Sequence, residues 1–377
     1  MRTLLFWILT FGTLWAWEQE LVVDNTHFAL STTIDDTGYV YNFNRLRFTH
    51  NSSHEGFSTQ IMVDNDTILA PKLFAATTPS TIYFSNSLRT YTPDIPFETS
   101  IKLGDDAYDR LKLYRAQLRY EDTLHALDAG LIRVPFGVGR VWTPTDMFNP
   151  LNSLSLESGI RAPVLGAHYT YALSPTAFIE GVVSIQESNT TKYALRLKGN
   201  IGIGDIALLG VAEANRTLIG YEAEGELFST GIEMRSEGGF FTYIPTNTTY
   251  FKGILGADYT FESGLSLIGE YLYNQTDSSI KAYTTAIQRQ YFRDVIGHAN
   301  RHYASAMAMY APTTLLTTMV MVMTHLGDGS GMVVPSISYS LSDESTLNVG
   351  GFIAFGEDGS EFGESAMVLF ASYAITF

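Results

Sequence analysis

The sequence predicts an all-β fold, in which antiparallel strands close into an up-and-down barrel that spans a membrane. From Trp17 onward the chain repeats segments of about ten residues, each alternating apolar and polar side chains and each followed by turn residues. No stretch after the N-terminus approaches the roughly twenty apolar residues that a membrane-spanning helix needs. These observations favour about eighteen strands. About sixteen is the alternative, because the first three strands and the break near Pro312 have the weakest patterns.

The N-terminus has the pattern of a secretory signal peptide. Arg2 precedes a short apolar core that ends at Trp15, and the small residue Ala16 follows. Cleavage after Ala16 would remove residues 1–16 and leave residues 17–377 as a single barrel domain. Leu14 is larger than the usual residue two positions before such a site, so cleavage a few residues away is the alternative.

Composition excludes several classes of protein. The chain has 377 residues, a net charge of −16 and no cysteine. A polyanion would be repelled, which argues against nucleic acid as a partner, and the absence of thiols excludes disulfides and thiolate metal sites. The 22 Tyr and 23 Phe residues suit a protein at a membrane–water interface, since tyrosine has an apolar body and a polar end.

The connections between the predicted strands differ systematically in length. Turns rich in Gly, Pro, Ser and Asp follow every second strand, whereas the other connections include the longest, near 65–106, 136–161 and 275–300. This asymmetry is typical of outer-membrane barrels whose termini both lie in the periplasm. The predicted strands lie near 26–35, 38–50, 56–64, 107–120, 123–135, 162–172, 176–187, 190–200, 204–214, 216–227, 230–243, 249–260, 264–274, 301–311, 313–324, 331–341, 345–356 and 366–377.

The last predicted strand is apolar on one face and mixed on the other. The odd-numbered residues from Met367 to Ile375 share the apolar face, because strand side chains repeat every two residues. With Phe377 at its end, this segment resembles the closing strand of bacterial outer-membrane β-barrels, in which the terminal Phe is part of the signal recognised by the barrel assembly machinery. The resemblance implies a bacterial outer-membrane location, with membrane lipids and that machinery as partners. The alternative is an ordinary strand that ends a soluble β-domain.

Other strands repeat this two-faced pattern. Ile179 and Val183 lie on one face of their strand and Glu180 lies on the other, and in the strands inspected the charges fall on one face only. Aromatic pairs such as Tyr169 with Tyr171 recur at strand ends on the apolar face, which predicts the aromatic girdles of a membrane barrel. The alternative is cross-strand aromatic pairing in a soluble sheet.

The charged faces predict a water-filled lumen, because unpaired charges in a dry interior would cost several kcal/mol each. Rows of charge at every second residue are predicted to line the pore and to create a transverse field that orients polar solutes. The alternative is that these residues are solvated and have no selective role. The basic row is Lys192, Arg196 and Lys198, the acidic row is Glu222, Glu224 and Glu226, and the mixed row is Glu233, Arg235 and Glu237.

The segment 133–150 has the least strand-like sequence of the chain, because its prolines interrupt a hydrogen-bonded ladder and its glycines allow tight folding. It resembles a pattern of porin-like outer-membrane barrels that are loosely related to alginate-export-type channels, a resemblance that names no substrate. We expect the loop 136–161 to enter the lumen and to constrict it. The alternative is that Arg140 and Asp146 only hold the loop in place. The matching residues are Gly139, Arg140, Trp142, Pro144, Thr145, Asp146, Phe148, Asn149 and Pro150, and the expected constriction sets Asp146 and Glu157 against Arg133, Arg140 and Arg161.

These features predict a porin, a monomeric or homotrimeric barrel through which small hydrophilic solutes or ions diffuse passively across the outer membrane. No cofactor or metal is predicted, and the eight His residues form no recognisable catalytic motif, so we expect no enzymatic activity. The excess of 39 Asp and Glu over 23 Lys and Arg suggests a mild cation preference. The alternatives are a plugged barrel with a structural, adhesive or surface-receptor role, or an export channel specific for one substrate.

Overall fold

A computed structural model describes residues 17–34, 37–69, 98–104, 107–151, 161, 163–185, 191–275, 301–363 and 367–377. The predicted signal peptide, residues 1–16, lies outside the described residues, and so does Glu157. Within the described residues the fold consists almost entirely of antiparallel strands, with one short 3₁₀ turn at Ile244–Thr246. No helix in this described part of the chain is long and apolar enough to cross a membrane.

Most of the strands are long enough to cross a bilayer at the tilt that barrels require. Numbered in chain order, they are β1 (Glu18–Ile34), β2 (Thr37–His54), β3 (Phe57–Leu69), β4 (Glu98–Lys102), β5 (Ala107–Glu121), β6 (His125–Ile132), β7 (Val164–Ser174), β8 (Ala177–Ile185), β9 (Thr191–Asn200), β10 (Asp205–Ala212), β11 (Arg216–Glu226), β12 (Glu233–Tyr243), β13 (Thr248–Thr260), β14 (Ser266–Asn274), β15 (His302–Tyr310), β16 (Leu316–His325), β17 (Gly331–Ser342), β18 (Ser345–Phe355) and β19 (Val368–Thr376).

The sheet closes on itself as an eighteen-strand barrel. Each ring strand pairs with the next, β3 pairs with β5, and β1 pairs with β19 to complete the ring. The short strand β4 stands outside this count, because it pairs only with β5, at residues 108–112, beyond the part of β5 that β6 uses. The predicted barrel and its eighteen strands are therefore confirmed.

Most predicted strand limits agree with the structure to within a few residues. The first strand differs most, since it begins at Glu18 instead of residue 26 and pairs with β2 over its whole length. The start of β1, the end of β19 and the turns between β2 and β3, β5 and β6, and each second pair after them lie at one end of the barrel, which we call the turn end. The long connections leave from the opposite end, which we call the loop end and which also has short turns, such as those after β10 and β12. The predicted asymmetry of the connections is confirmed.

The two faces of the wall differ in chemistry, as predicted from the alternation along strands such as β8. On β9, Leu195 is 63% exposed on the outer face, whereas Arg196 is only 5% exposed on the inner face. The outer belt is apolar around most of the ring, which is the surface of a membrane-embedded barrel. The wall departs from this rule on β1, β2, β3 and β5; on β5, for example, Asp109 shares the outer face with Leu111 and Leu113.

The inner face is mixed, and its apolar part is concentrated toward the loop end. There, inward side chains from many strands form two buried hydrophobic clusters. One cluster includes Phe28, Phe43, Leu272 and Tyr303, and the other includes Leu209, Leu218 and Phe241. Because a barrel of this size cannot fill its lumen with wall side chains alone, these clusters need a further segment to pack against.

Candidate functional site: an internal loop and its carboxylate cradle

The segment that follows β6 lies inside the barrel. Residues 133–151, which we call the internal loop, contact inward-facing side chains of β9, β11, β12 and β14. Several of its side chains are almost completely buried, including Val134, Phe136 and Trp142 at 2% exposure or less. The loop therefore packs against the inner face of the wall. This position agrees with the expectation that the loop enters the lumen.

Local sequence explains the shape of the internal loop. Gly137 has a positive φ of 82°, and a Cβ on Gly139 would lie 1.7 Å from the carbonyl oxygen of Trp142, so both positions need glycine. Asp146 folds the next part of the loop, since its Oδ1 accepts hydrogen bonds from the backbone N–H groups of Phe148 at 3.1 Å and Asn149 at 2.8 Å. This is an Asx-type turn, in which the side chain replaces a backbone acceptor.

Two buried glutamates of the wall accept hydrogen bonds from six backbone amides of the loop. Glu270 on β14 accepts from the N–H groups of three consecutive loop residues, Arg140 at 2.9 Å, Val141 at 3.2 Å and Trp142 at 2.7 Å. Glu237 on β12 accepts from Gly139 and Thr145 at 3.0 Å each, and also from Val138. A buried backbone N–H group left without such an acceptor would cost about 1–3 kcal/mol.

A third glutamate completes this arrangement. Glu222 on β11 accepts from the backbone N–H of Gly137 at 2.9 Å and from the hydroxyl of Thr145 at 3.2 Å. Glu222, Glu237 and Glu270, which we call the carboxylate cradle, are each 4% exposed or less. Most of these bonds are to backbone N–H groups, so they depend on the backbone conformation of the loop more than on its side chains. Together they fix the loop against one side of the wall.

Apolar contacts hold the loop where the cradle does not. Phe136, Met147 and Phe148 join the wall cluster of Leu209, Leu218 and Phe241, and the Phe136 and Phe148 rings meet edge to face at 5.6 Å. Trp142 reaches the other cluster, where its ring centroid lies 6.4 Å from that of Tyr303. The loop thus supplies the further packing that the two clusters require.

The structure brings together some of the predicted constriction residues. Arg161 Nη1 lies 3.0 Å from Oδ2 of the fully buried Asp146, so this predicted contact is present. Arg133 and Arg140 are exposed, and Arg140 contacts the wall through its backbone instead of pairing with Asp146. Burial raises the pKa of Asp146 to about 6, because the charged carboxylate is removed from water.

The predicted lining rows lie on β9, β11 and β12, with β10 between the first two, and several of their side chains pair across these strands. Arg196 pairs with Glu180 at 2.8 Å and with Glu222, and Lys198 lies 3.1 Å from Asp205 and 3.7 Å from Glu224. The other residues of these rows either contact neighbouring groups or are exposed. Lys192 contacts Glu213 at 3.2 Å and the Met147 carbonyl. Arg235 pairs with Asp258 and lies 3.9 Å from Glu270. Glu226 and Glu233 stand opposite each other near the turn end, and both are exposed.

Sequence reasoning missed a second charged cluster, on β2, β3 and β5. Arg47 makes two hydrogen bonds to Asp64, at 2.6 and 2.8 Å, and Arg45 and Arg110 both bind Asp66, at 3.0 and 2.7 Å. The signal was present, because these charges alternate with uncharged residues along β2 and β3. The cluster forms an ion-paired part of the inner wall. One of its strands, β5, also carries Tyr114, whose hydroxyl donates a hydrogen bond to the Arg161 carbonyl.

The turn end of the lumen is polar. A cavity of about 570 Å³ opens between the inner faces of β1, β2, β3 and β5, and Glu18, Glu20, Gln60 and Arg115 are among its lining residues. In the described part of the chain, no group of three or more His, Cys, Asp or Glu side chains could hold a metal ion. The interior therefore changes from polar at the turn end to loop-filled and partly apolar toward the loop end.

Comparison with solved structures agrees with the fold. OccAB4 from Acinetobacter baumannii superposes with a TM-score of 0.60 at 12% sequence identity, over 96% of this chain and 98% of that chain. The outer membrane protein OprD from Pseudomonas aeruginosa gives a TM-score of 0.57 at 10% identity, over 96% of this chain and 93% of that chain. No protein-family model and no curated protein sequence matches the chain. At these identities the likeness shows the barrel fold alone.

Proposed function

We propose that the chain is a channel of a bacterial outer membrane, through which small hydrophilic solutes or ions diffuse passively and whose width the internal loop sets. One observation carries the proposal: carboxylates fix the loop to one side of the inner wall while Arg133 and Arg140 on it stay exposed. Exposed guanidinium groups on such a loop need water around them, because a charge in a dry interior is costly. The polar cavity at the turn end supports the same conclusion.

Location and assembly belong to the same proposal. The apolar belt supports a membrane location, and the barrel of OprD, an outer membrane protein, has the same fold. Residues 1–16 would direct export and be removed. The Phe377 side chain is 73% exposed while its backbone pairs with Val23, so it is available to the barrel assembly machinery as an assembly signal. Association into a homotrimer completes the proposal.

The two apolar clusters favour a second candidate function, a barrel plugged by its own loop with a structural, adhesive or receptor role. Trp142 packs between wall side chains that include Leu272 and Tyr303, and such contacts exclude water on that side of the lumen. The two candidates differ in whether a continuous aqueous path remains beside the loop.

Liposome swelling with sugars of increasing size separates the candidates. We expect the purified barrel to admit small sugars, and a variant with residues 138–145 replaced by a short Gly-Ser linker to admit larger ones. A wild-type barrel that admits neither sugars nor ions, beside a conducting loop variant, would establish the plug. Where the replacement prevents folding, judged by circular dichroism, the double variant Glu237→Gln with Glu270→Gln loosens the loop without shortening it.

A further inference from the structure

The outer face of β1, β2, β3 and β5 carries amide, imidazole and carboxylate side chains, whereas most of the outer face of the other described strands is apolar. We call this set the polar strip. The strip is distinct from the internal loop and from the lumen, and transport through the barrel gives it no role. Its members are Asn25, His27, Asn42, Asn44, Asn65, Thr67 and Asp109.

Strand alternation places the polar strip on the outside. On β1, Phe28 and Leu30 are buried on the inner face at 4% and 1% exposure, so Asn25 and His27 point outward with Leu21, which is 63% exposed. On β3, the buried carboxylates Asp64 and Asp66 face inward. Asn65 and Thr67 therefore face the membrane side.

The pairing register makes the strip continuous. His27 stands opposite Asn44, Asn44 opposite Thr67, and Thr67 opposite Asp109, which gives one unbroken polar row across four strands. At its other end, His27 stands opposite Tyr373 of β19 and Asn25 stands opposite Ile375. The strip therefore adjoins the outward row of the closing strand, in which Leu369 and Tyr373 are 49% and 39% exposed.

The side chains of the strip already bind one another. Asn25 Nδ2 donates to Asn44 Oδ1 at 3.1 Å, and Asp109 accepts from Asn65 at 2.9 Å and from Thr67 at 3.1 Å. These bonds use only part of the hydrogen-bonding capacity of three amides and a carboxylate. Hydrocarbon supplies no partners, and each unsatisfied polar group in lipid costs several kcal/mol.

We propose that the polar strip is the surface by which one copy of this chain binds a second copy in the membrane. An amide side chain is both a donor and an acceptor, so a strip rich in Asn is complementary to another strip of the same kind. The exposed imidazole of His27 adds a further hydrogen-bonding group, and the carboxylate of Asp109 adds acceptors. An anionic lipid headgroup fits poorly, because the strip contains Asp109 and neither Lys nor Arg.

This inference rests on the proposed membrane location and association of copies, but it depends neither on transport nor on the number of copies that associate. The chain has no cysteine, so a single introduced thiol reports one position. We expect His27→Cys to form crosslinked pairs with a short bis-maleimide in native membranes. Leu195→Cys, on the outer face of β9 and 63% exposed, is the matched control and should crosslink weakly. Equal yields at the two positions, or no pairs at position 27, overturn the proposal whether or not the barrel conducts.

A second experiment distinguishes an interface between two copies from a surface that faces only lipid or the chain itself. If the strip is an interface, Asn25→Leu with Asn44→Leu should convert the purified oligomer to monomers in light scattering. If the strip faces only lipid or a segment of its own chain, the same change should leave the mass unaltered, which contradicts the proposal. The control is Thr242→Val with Thr249→Val, which removes an exposed hydroxyl pair 2.9 Å apart on β12 and β13.

Discussion

Glu270 binds three consecutive N–H groups of the internal loop, so its two oxygens hold more of the backbone than a single hydrogen bond could. We predict that Glu270→Gln releases this part of the loop. The amide keeps one acceptor but turns an NH₂ donor toward backbone donors, at a cost of about 1–3 kcal/mol. Hydrogen exchange of residues 139–143 should then become roughly ten- to a hundredfold faster, since each factor of ten corresponds to about 1.4 kcal/mol.

The control for this substitution is Glu233→Gln, an identical change at an exposed position near the turn end. It should leave the exchange of the loop unaltered. If the two variants exchange at the same rate as the wild type, the carboxylate does not hold the loop, and its apolar contacts are sufficient.

The internal loop as an element should respond to pH through Asp146. Burial raises the pKa of this carboxyl to about 6 from its usual 3.8, so the packed loop binds the proton more tightly than an opened one. The contribution of Asp146 to the stability of the packed loop is therefore greatest below pH 3.8, falls as the pH rises to about 6, and changes no further above it. Each unit of pKa difference is worth about 1.4 kcal/mol.

Single-channel recordings test this pH dependence. We predict more frequent opening of the loop at pH 6.5 than at pH 4 in the wild-type channel, and an opening frequency with a much smaller pH dependence in Asp146→Asn. Asparagine keeps an oxygen for the N–H groups of Phe148 and Asn149 but does not titrate. A wild-type channel that opens more at pH 4 would show that another group controls the loop.

The elements differ in how far sequence alone could predict them. The strand near 216–227 was predictable because its alternation is local, and the structure has it at Arg216–Glu226. The five residues of β4 were not predicted, because they form a strand only by pairing with β5. The inward direction of Glu222 and Glu270 follows from alternation, but their partners lie 85 and 130 positions away in sequence. Which amide meets which carboxylate depends on closure of the whole barrel.

For the whole molecule, net charge is a poor guide to the ion preference of the channel. The chain carries a charge of −16, which suggested a mild cation preference. Yet the carboxylates nearest the internal loop are withdrawn from water, since Asp146 and Glu237 are 0% exposed and Glu222 is 1% exposed. Arg133 and Arg140 are the charged groups of the loop that remain exposed. The narrowest part of a channel has most influence on its selectivity.

We therefore predict a weak anion preference, opposite in sign to the expectation from composition. Reversal potentials in a salt gradient should shift toward cations in the double variant Arg133→Ala with Arg140→Ala, because the exposed positive charge beside the loop is removed. Arg119→Ala is the matched control, since Arg119 pairs with Glu121 and Asp128 near the turn end. A wild-type channel that prefers cations, with no shift in the double variant, would place the selective section away from the loop, among exposed carboxylates such as Glu20 and Glu226 at the turn end.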